Sequence, residues 1–497
     1  MIGILSAEKI READAYTIAH EPIASIDLME RACNAFMQWF TSRFTRDMTI
    51  SIIAGTGNNG GDALGIARML TEKRYLVRTY VAGNPENGSS DFKVNYQRLE
   101  REKEIISIED DLTSFNTDII IDGLFGSGLS RPPEGIYARI IDQINAPSAI
   151  RVAIDIPSGL FADKTSTGAI VRAQHTVSFQ RPKLAFFMPE NFACVGEWQV
   201  VDIGLNENFL QNCKTPYYTL TKKGVKFYFS PREKFSHKGT YGHGLLIGGS
   251  YGKIGAMVLA ARATLRSGIG LLTAFIPHCG YEILQTACPE AMVIVDEKGE
   301  RELASAPDTD SYSALGIGPG MGTSAASADA LKKILTAFHW PVVLDADGLN
   351  LVAEHRELLA LIPEKSILTP HPGEFRRLVG PWENDFQRLD LLRDFATKYR
   401  IVVVLKGAHS IIADVNGNLF FNNTGNPGMA TGGSGDVLTG ILTALLAQGL
   451  APLQAAQAGV YLHGLAGDHA AAKAGQQSLI ASDIIDALPV AFAEIGV

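Results

Sequence analysis

The sequence predicts two α/β domains in series, each on a mainly parallel sheet. Three observations carry that expectation. Short, continuously apolar runs alternate with helical segments along most of the chain, which is the pattern of strands buried on both faces. The alternation breaks over 206–240, a polar stretch with Pro216, Pro231 and a lysine-rich segment, and then resumes with different motifs. The length, 497 residues, suits more than one domain. The expected domains are 1–215 and 225–497, and their lack of mutual repeat reads as a fusion of two different enzymes.

The elements follow in order. Residues 6–46 carry a helical period, with Ile26, Met29, Ala32, Cys33 and Phe36 on one face. Apolar runs at 49–55, 75–83, 118–126 and 151–159 read as strands, with helices at 62–73 and 134–144 between them; 176–182 and 198–205 extend the sheet. In the second half, strands are expected at 244–249, 271–277, 291–296, 314–320, 341–348, 366–374 and 401–407. Asn416-Gly417 is a hairpin dipeptide between two more. The stretch 437–465, interrupted by Gly440, Gly449 and Pro452, reads as a core helix pair rather than a membrane span. The alanine- and glycine-rich helices over 437–475 are expected to pack between the subunits of a homo-oligomer.

Composition excludes several classes. Hydrophobic residues at 46% and charged residues at 20% rule out a disordered or collagenous chain. A net charge of −9 without a long basic run removes the electrostatic footprint of a nucleic-acid binder. Five cysteines without a C-x-x-C pair read as reduced thiols of a cytoplasmic protein. The N-terminus reaches Glu8, Lys9 and Arg11 before a signal-peptide core could form. Glycine is in excess, 49 residues, clustered at 55–65, 123–128, 239–255, 316–322 and 425–435. Such clusters mark loops that let the backbone approach a ligand closely.

The first cluster, GTGNNGGD at 55–62, follows a strand and opens a helix. It matches G-x-G-x-x-G, but strand 75–83 lacks the acidic residue that a dinucleotide fold uses to hold the ribose. A phosphate or ribose at the helix N-terminus fits better. Residues 122–135 present backbone N–H groups with Arg131 beside them, suited to a diphosphate. Residues 153–160 bring Asp155, Pro157 and Ser158 to another strand end. Ligands of open α/β sheets bind outside the carboxyl ends of the strands, so Asn59, Asp122, Asp155 and Ser158 are expected to converge. Their oxygens suit a hard cation, and no His/Cys set argues for zinc. Loop capping is the alternative for each carboxylate taken singly.

NNGGD, DGLFGSGLSR and AIDIPSGL, after AEKIREAD and SIDLMERA, resemble the NAD(P)H-hydrate epimerases over roughly 5–215. The resemblance implies a Rossmann-like three-layer α/β/α domain that interconverts the R and S hydrates of NADH and NADPH. It implies a potassium ion on Asn59, Asp122 and Ser158. It also implies hydrate binding by Asn58, Asn59, Gly60, Gly61 and Asp62, by Gly126, Ser127, Gly128, Leu129, Ser130, Arg131 and Pro132, and by Tyr137 and Asp155. Asp155 is the acid/base candidate, because epimerisation at a hydroxylated carbon next to nitrogen needs proton transfer during hydroxide loss or ring opening. Thr56 stands where a proline is common in that family.

In the second half, 423–442 is the most informative stretch. A glycine-dense turn ends in Gly435-Asp436 and runs into an apolar helix, whose N–H groups suit a transferring phosphoryl group. Asp436 stands where a carboxylate would take a proton from an attacking hydroxyl; a plain helix cap is the alternative. No G-x-x-x-x-G-K-[ST] occurs, which excludes a P-loop enzyme. His371 and Glu374 end one strand; Lys406, Gly407 and Ser410 end another and suit nucleotide phosphates or ribose. Asp345 or Asp347 offers either a magnesium ligand or a cap for the next helix.

IGGSYGKIGA, GIGPGMG, DADGLN, TPHPGE, KGAHS and GMATGGSGD, in that order, resemble the ADP-dependent NAD(P)H-hydrate dehydratases over roughly 225–497. That family is a branch of the ribokinase-like superfamily, which implies a ribokinase-like α/β domain. The resemblance implies hydrate contacts from Ala256, Gly320, His371 and Asp436, and nucleotide contacts from Lys406, Gly407, Ala408, His409, Ser410 and Gly435. Magnesium would arrive with ADP. The implied chemistry is phosphorylation of the hydrate hydroxyl with Asp436 as base, then elimination of phosphate. Residues 432–434 vary on the family's usual loop.

Joined, the halves read as a bifunctional repair enzyme for nicotinamide hydrates. An epimerase feeds the S epimer to a dehydratase that consumes ADP and releases AMP and phosphate. The partners are then NADHX, NADPHX and ADP, with no nucleic acid and no membrane. One alternative is an ATP-dependent kinase of a small alcohol or vitamin precursor with an accessory ligand-binding domain. A non-enzyme reading keeps the first half as a metabolite-binding or protein-interaction module, against which the intact Asn59, Asp122 and Asp155 argue.

Overall fold

The computed structural model describes residues 1–108 and 115–497. They form two compact units: an N-terminal unit of 3–215 with 384–386, and a C-terminal unit of 1–2, 216–383 and 387–497. The first strand, β1 (Ile2–Gly3), belongs to the sheet of the C-terminal unit.

Seven strands build the N-terminal sheet: β2 (Thr49–Ala54), β3 (Leu76–Ala82), β4 (Ile105–Ile108), β5 (Ile119–Gly123), β6 (Ile150–Ile154), β7 (His175–Phe179) and β8 (Glu197–Val201). They lie in the order β4-β3-β2-β5-β6-β7-β8, all parallel. Side chains alternate between the two faces. Ile50, Ile52, Ile119 and Ile121 join one apolar layer with the helices Ser25–Thr41 and Asn58–Glu72. Ile53 and Ile120 join another with Ile140, Ile141 and Ile144 of the helix Ile136–Asn145. The result is a three-layer α/β/α unit. Its strand order reverses between β2 and β5, so the loops after these two strands flank a crevice suited to a ligand.

The helical period over 6–46 resolves into two helices, Ala7–His20 and Ser25–Thr41, because Pro22 lacks the N–H that a continuous helix needs. Strand β4 and the helix Ser90–Glu100 were not expected from the pattern; β4 is only partly buried and the helix is largely polar.

The C-terminal sheet has eleven strands, adding to β1 the strands β9 (Tyr217–Thr219), β10 (His243–Ile247), β11 (Leu271–Pro277), β12 (Met292–Asp296), β13 (Ala314–Ile317), β14 (Val342–Leu344), β15 (Ile367–Leu368), β16 (Val402–Leu405), β17 (Ile411–Ala413) and β18 (Leu419–Phe421). The order is β1-β9-β18-β17-β16-β15-β14-β13-β10-β11-β12. The strands from β10 to β16 run parallel, while β17 and β18 form the hairpin around Asn416-Gly417, with Ile411 opposite Phe421. Strand β9 pairs with β18, and Tyr218 stacks on Phe420, so the main segment of this unit begins at Pro216, ahead of the expected 225. Three residues in a polar stretch are too few to show a period.

The helices Ser434–Ala447 and Pro452–Ala474 are the core pair that the sequence suggested. Gly440 lets the first approach the backbone of the helix Ile254–Arg266: a Cβ at Gly440 would lie 2.3 Å from the Ala260 carbonyl oxygen. Most of their small residues are buried within the unit, while Ala472, Ala474 and Gly475 at the end of the second helix are exposed. Among the described residues, no helix is long and apolar enough to cross a membrane.

Candidate active sites

A cavity of about 590 Å³ opens at the carboxyl ends of β2, β5 and β6. The helix Asn58–Glu72 points its N-terminus into it, a favourable position for an anion. Of the sequence candidates, Asn58, Asn59, Asp62, Gly126, Ser127, Gly128, Leu129, Ser130, Arg131, Tyr137 and Asp155 line the cavity. Gly60, Gly61 and Pro132 do not. Gly60 is a packing glycine, since a Cβ there would lie 1.8 Å from the Gly55 carbonyl oxygen. Gly61 is pressed against Met29 and the Phe92 backbone.

Asp122, Asn59 and Ser158 do come together, beneath the loop 123–128. The Asp122 carboxylate accepts from the Ser158 hydroxyl at 2.6 Å, from the Ser158 N–H at 2.8 Å and from the Leu124 N–H at 3.2 Å. The Phe125 carbonyl accepts from Asn59 Nδ2 at 3.0 Å and lies 3.2 Å from the Ser158 hydroxyl. Burial pushes the Asp122 carboxyl up to about 6, with the Ser158 and Leu124 hydrogen bonds opposing.

Asp155 follows β6 with φ of 62°, a left-handed conformation that non-glycine residues rarely adopt and that concentrates at functional sites. Its Oδ1 accepts from Lys183 Nζ at 2.6 Å, from the Phe179 N–H at 3.1 Å and from the Ser178 hydroxyl at 3.2 Å. Lys183 is only 1% exposed.

In the C-terminal unit a cavity of about 700 Å³ is lined by His371, Lys406, Gly407, Ala408, His409, Ser410 and Gly435, all sequence candidates. Lys406 Nζ donates to Asp345 at 2.8 Å, and the Thr439 hydroxyl donates to the other Asp345 oxygen at 2.8 Å. Asp345 thus serves this cluster rather than capping the helix Ala346–Glu354. Burial opposes the Lys406 ammonium, but Asp345, Glu374 and Asp436 outweigh it and raise its pKa.

Asp436 stands in the first turn of the helix Ser434–Ala447, whose N-cap, Gly433, has φ of 91°. Burial pushes its carboxyl up to about 7; Asp345 and Asp347 add to this and Lys406 opposes it. Asp347 accepts from Lys253 at 3.1 Å and from the Gly322 N–H at 3.0 Å. Ala256 and Gly320 are neighbours beside Lys253, outside the lining of the 700 Å³ cavity. His371 caps the helix Pro372–Val379, its Nδ1 accepting from the Gly373 and Glu374 N–H groups; its Nε2 is therefore the protonated nitrogen.

Residues 244–490 match the family model described as NAD(P)H-hydrate dehydratase, and 25–185 match the one described as YjeF-related protein N-terminus. A bifunctional NAD(P)H-hydrate repair enzyme of Moorella thermoacetica is 35% identical, over 98% of this chain and 96% of that one. Its counterpart in Coxiella burnetii is 36% identical over 99% of each. The chain belongs to the bifunctional NAD(P)H-hydrate repair enzymes. Like that family, it pairs an isomerase half with a lyase half. Among solved structures, an ADP/ATP-dependent NAD(P)H-hydrate dehydratase from Bacillus subtilis, co-crystallised with ATP and Mg2+, is 33% identical with a TM-score of 0.50. It covers 56% of this chain and 98% of its own. A ribokinase-like superfamily protein from Enterococcus faecalis, 30% identical over 57% of this chain and 98% of its own, has a TM-score of 0.51.

Sequence reasoning missed Asp14 and Lys183 in the repair enzyme's N-terminal cavity region, and Thr439 and His463 in the C-terminal one. Asp14 had a signal: Ile10, Asp14 and Ile18 recur every four residues, an acid set in an apolar stripe. His463 had none, since it lies within an alanine-rich core helix.

Proposed function

We propose that the N-terminal cavity epimerises NADH and NADPH hydrates with Asp155 as acid/base, and that the C-terminal cavity dehydrates the S epimer with ADP, Asp436 acting as base. The observation that carries this reading is the cluster of Asp436, Lys406 and Asp345 at a helix N-terminus beside a cavity lined by Lys406 to Ser410. The hydrate hydroxyl gives its proton to Asp436 as its oxygen meets the terminal phosphoryl group of ADP. Lys406 and the N–H groups around Gly435 stabilise the charge on that group. Elimination of phosphate then restores the reduced nicotinamide. His371 donates from Nε2 to the hydrate.

Magnesium bound with ADP would neutralise phosphate charge, which takes only one or two protein carboxylates. Asp345 and Asp347, the carboxylates whose charge acts on Asp436, are the residues that would hold the magnesium. In the N-terminal unit Asp122, Ser158 and the Phe125 carbonyl bring oxygens together that suit potassium, and Asn59 reaches the same carbonyl through its Nδ2, so these residues would hold the ion. There the ion would supply positive charge under loop 123–128. The five free cysteines support a reducing, cytoplasmic setting.

The test is a mixture of both hydrate epimers with ADP, followed by the return of nicotinamide absorbance. The intact chain should convert everything. Asp122→Ala should stop near half conversion while spontaneous epimerisation is slow. Complete conversion by that variant at the wild-type rate would remove the epimerase from the N-terminal cavity.

A further inference from the structure

The N-terminal cavity holds a second carboxylate that the mechanism above leaves unused. Asp14 enters from the helix Ala7–His20, together with Ile10 and Ile18, whereas Asp155 enters from the carboxyl end of β6. The two acids therefore reach the same cavity from different elements. Their hydrogen bonding differs completely. Asp155 Oδ1 accepts three donors, among them the Lys183 ammonium, which spends its remaining protons on the Phe179 and Arg181 carbonyls at 3.4 and 3.3 Å. That arrangement fixes the Asp155 carboxylate in place with three donors on one oxygen. Asp14 accepts no hydrogen bond from any described residue, which leaves its carboxyl open to the cavity.

We propose that Asp14 is a second catalytic residue of the epimerase, forming with Asp155 a pair that shares one proton across the hydrate ring. The proposal rests on the epimerase reading. Inversion at one carbon needs departure from one face and return to the other. Asp14 gives its proton to the hydroxyl. The C–O bond breaks with its electron pair leaving as water, and the ring nitrogen's lone pair forms the C=N bond. Asp155 faces the resulting cation. Water adds to the opposite face, its oxygen supplying the electron pair of the new C–O bond, and loses a proton to Asp155. The C=N electrons return to nitrogen. The reverse direction exchanges the two roles, and the pair regains its starting form through cavity water. Nothing is oxidised or reduced.

The surroundings set the resting proton on Asp14. Burial raises its pKa first, the neighbouring Asp155 charge adds, and Lys183 opposes, leaving it at about 6. The other charged groups of the cavity are Arg11 on the same helix, Asp62, Asp91 and Arg131. Asp62 is pushed well up by burial and then by Asp155, Asp14 and Asp91.

The experiment uses the full-length chain in potassium buffer with purified single epimers of hydrated NADH, reading epimerisation by chromatography and dehydration by absorbance. Asp14→Asn should lower the epimerisation kcat a hundredfold or more, with KM within about threefold and dehydration of the S hydrate unchanged. Asp14→Glu should restore at least a tenth of the wild-type rate. The wild-type rate should fall as pH rises above about 6, and the residual rate of the Asn variant should lack that fall. A smaller loss in the Asn variant, an unchanged pH dependence, or a Glu variant no better than Asn overturns the role of Asp14. A wild-type chain that does not epimerise overturns the underlying reading instead, a result distinct from an active wild type with an unaffected variant.

Discussion

At the scale of single residues, Asp436 has to meet two demands that pull apart. It must be withdrawn from water beside phosphates, yet be ionised often enough to accept a proton. Burial lifts its carboxyl, Asp345 and Asp347 lift it further, and Lys406 restrains it, so the balance falls at about 7. A base with a pKa near the working pH suits proton transfer best. Only the ionised form accepts a proton, so the dehydratase rate should rise with pH through about 7 and level off above it. Asp436→Asn keeps the side-chain shape but cannot accept the proton. It should slow dehydration about 10²–10⁴-fold, with a flat pH profile. Nucleotide affinity, measured by titration calorimetry, should change only a few-fold, because Lys406 and the loop to Ser410 are untouched. A variant near the wild-type rate would reduce Asp436 to a favourable charge at a helix N-terminus.

At the scale of elements, both sites depend on glycine turns that feed helix N-termini, and the glycines do different jobs. Gly60 has the Gly55 carbonyl against the position of its missing Cβ, so Gly60→Ala must displace backbone. Overpacking of this kind costs about 1–3 kcal/mol or more. The variant should lower the unfolding midpoint of the N-terminal unit and abolish epimerisation, while dehydration of the S hydrate persists. A scanning-calorimetry trace identical to wild type would refute the packing role. The same residue shows what a sequence can and cannot disclose. A glycine that admits a ligand and one that admits backbone look alike in the chain, so Gly60 and Gly61 read as substrate contacts. Strands such as β2 and β5 were legible because burial on both faces leaves an unbroken apolar run. Strand β4 was not, being half in water, and β9 is only three residues long. Asn59, Asp122 and Ser158 were legible together because each ends or follows a buried strand. The Asp155–Lys183 pair was not, since its partners lie 28 residues apart and meet only in the fold.

At the scale of the whole molecule, each unit has its own sheet and its own apolar layers, which is what independent folding requires. The cut point decides whether that independence is seen. A fragment of 216–497 keeps β9 beside β18, with Leu419 opposite Tyr217 and Tyr218 stacked on Phe420. A fragment of 225–497 removes β9 and leaves β18 as a bare apolar edge, a template for aggregation. The longer fragment should therefore be soluble and cooperative in thermal unfolding, and the shorter one should unfold at lower temperature and aggregate. Given both hydrate epimers and ADP, the 216–497 fragment should consume only the S form and stop near half conversion. Adding the full-length Asp436→Asn chain, whose N-terminal cavity is intact, should carry the reaction to completion, because the epimer then reaches the fragment through solution. Rapid full conversion by the fragment alone would mean that the C-terminal unit accepts both epimers, and the division of labour between the two units would have to be abandoned.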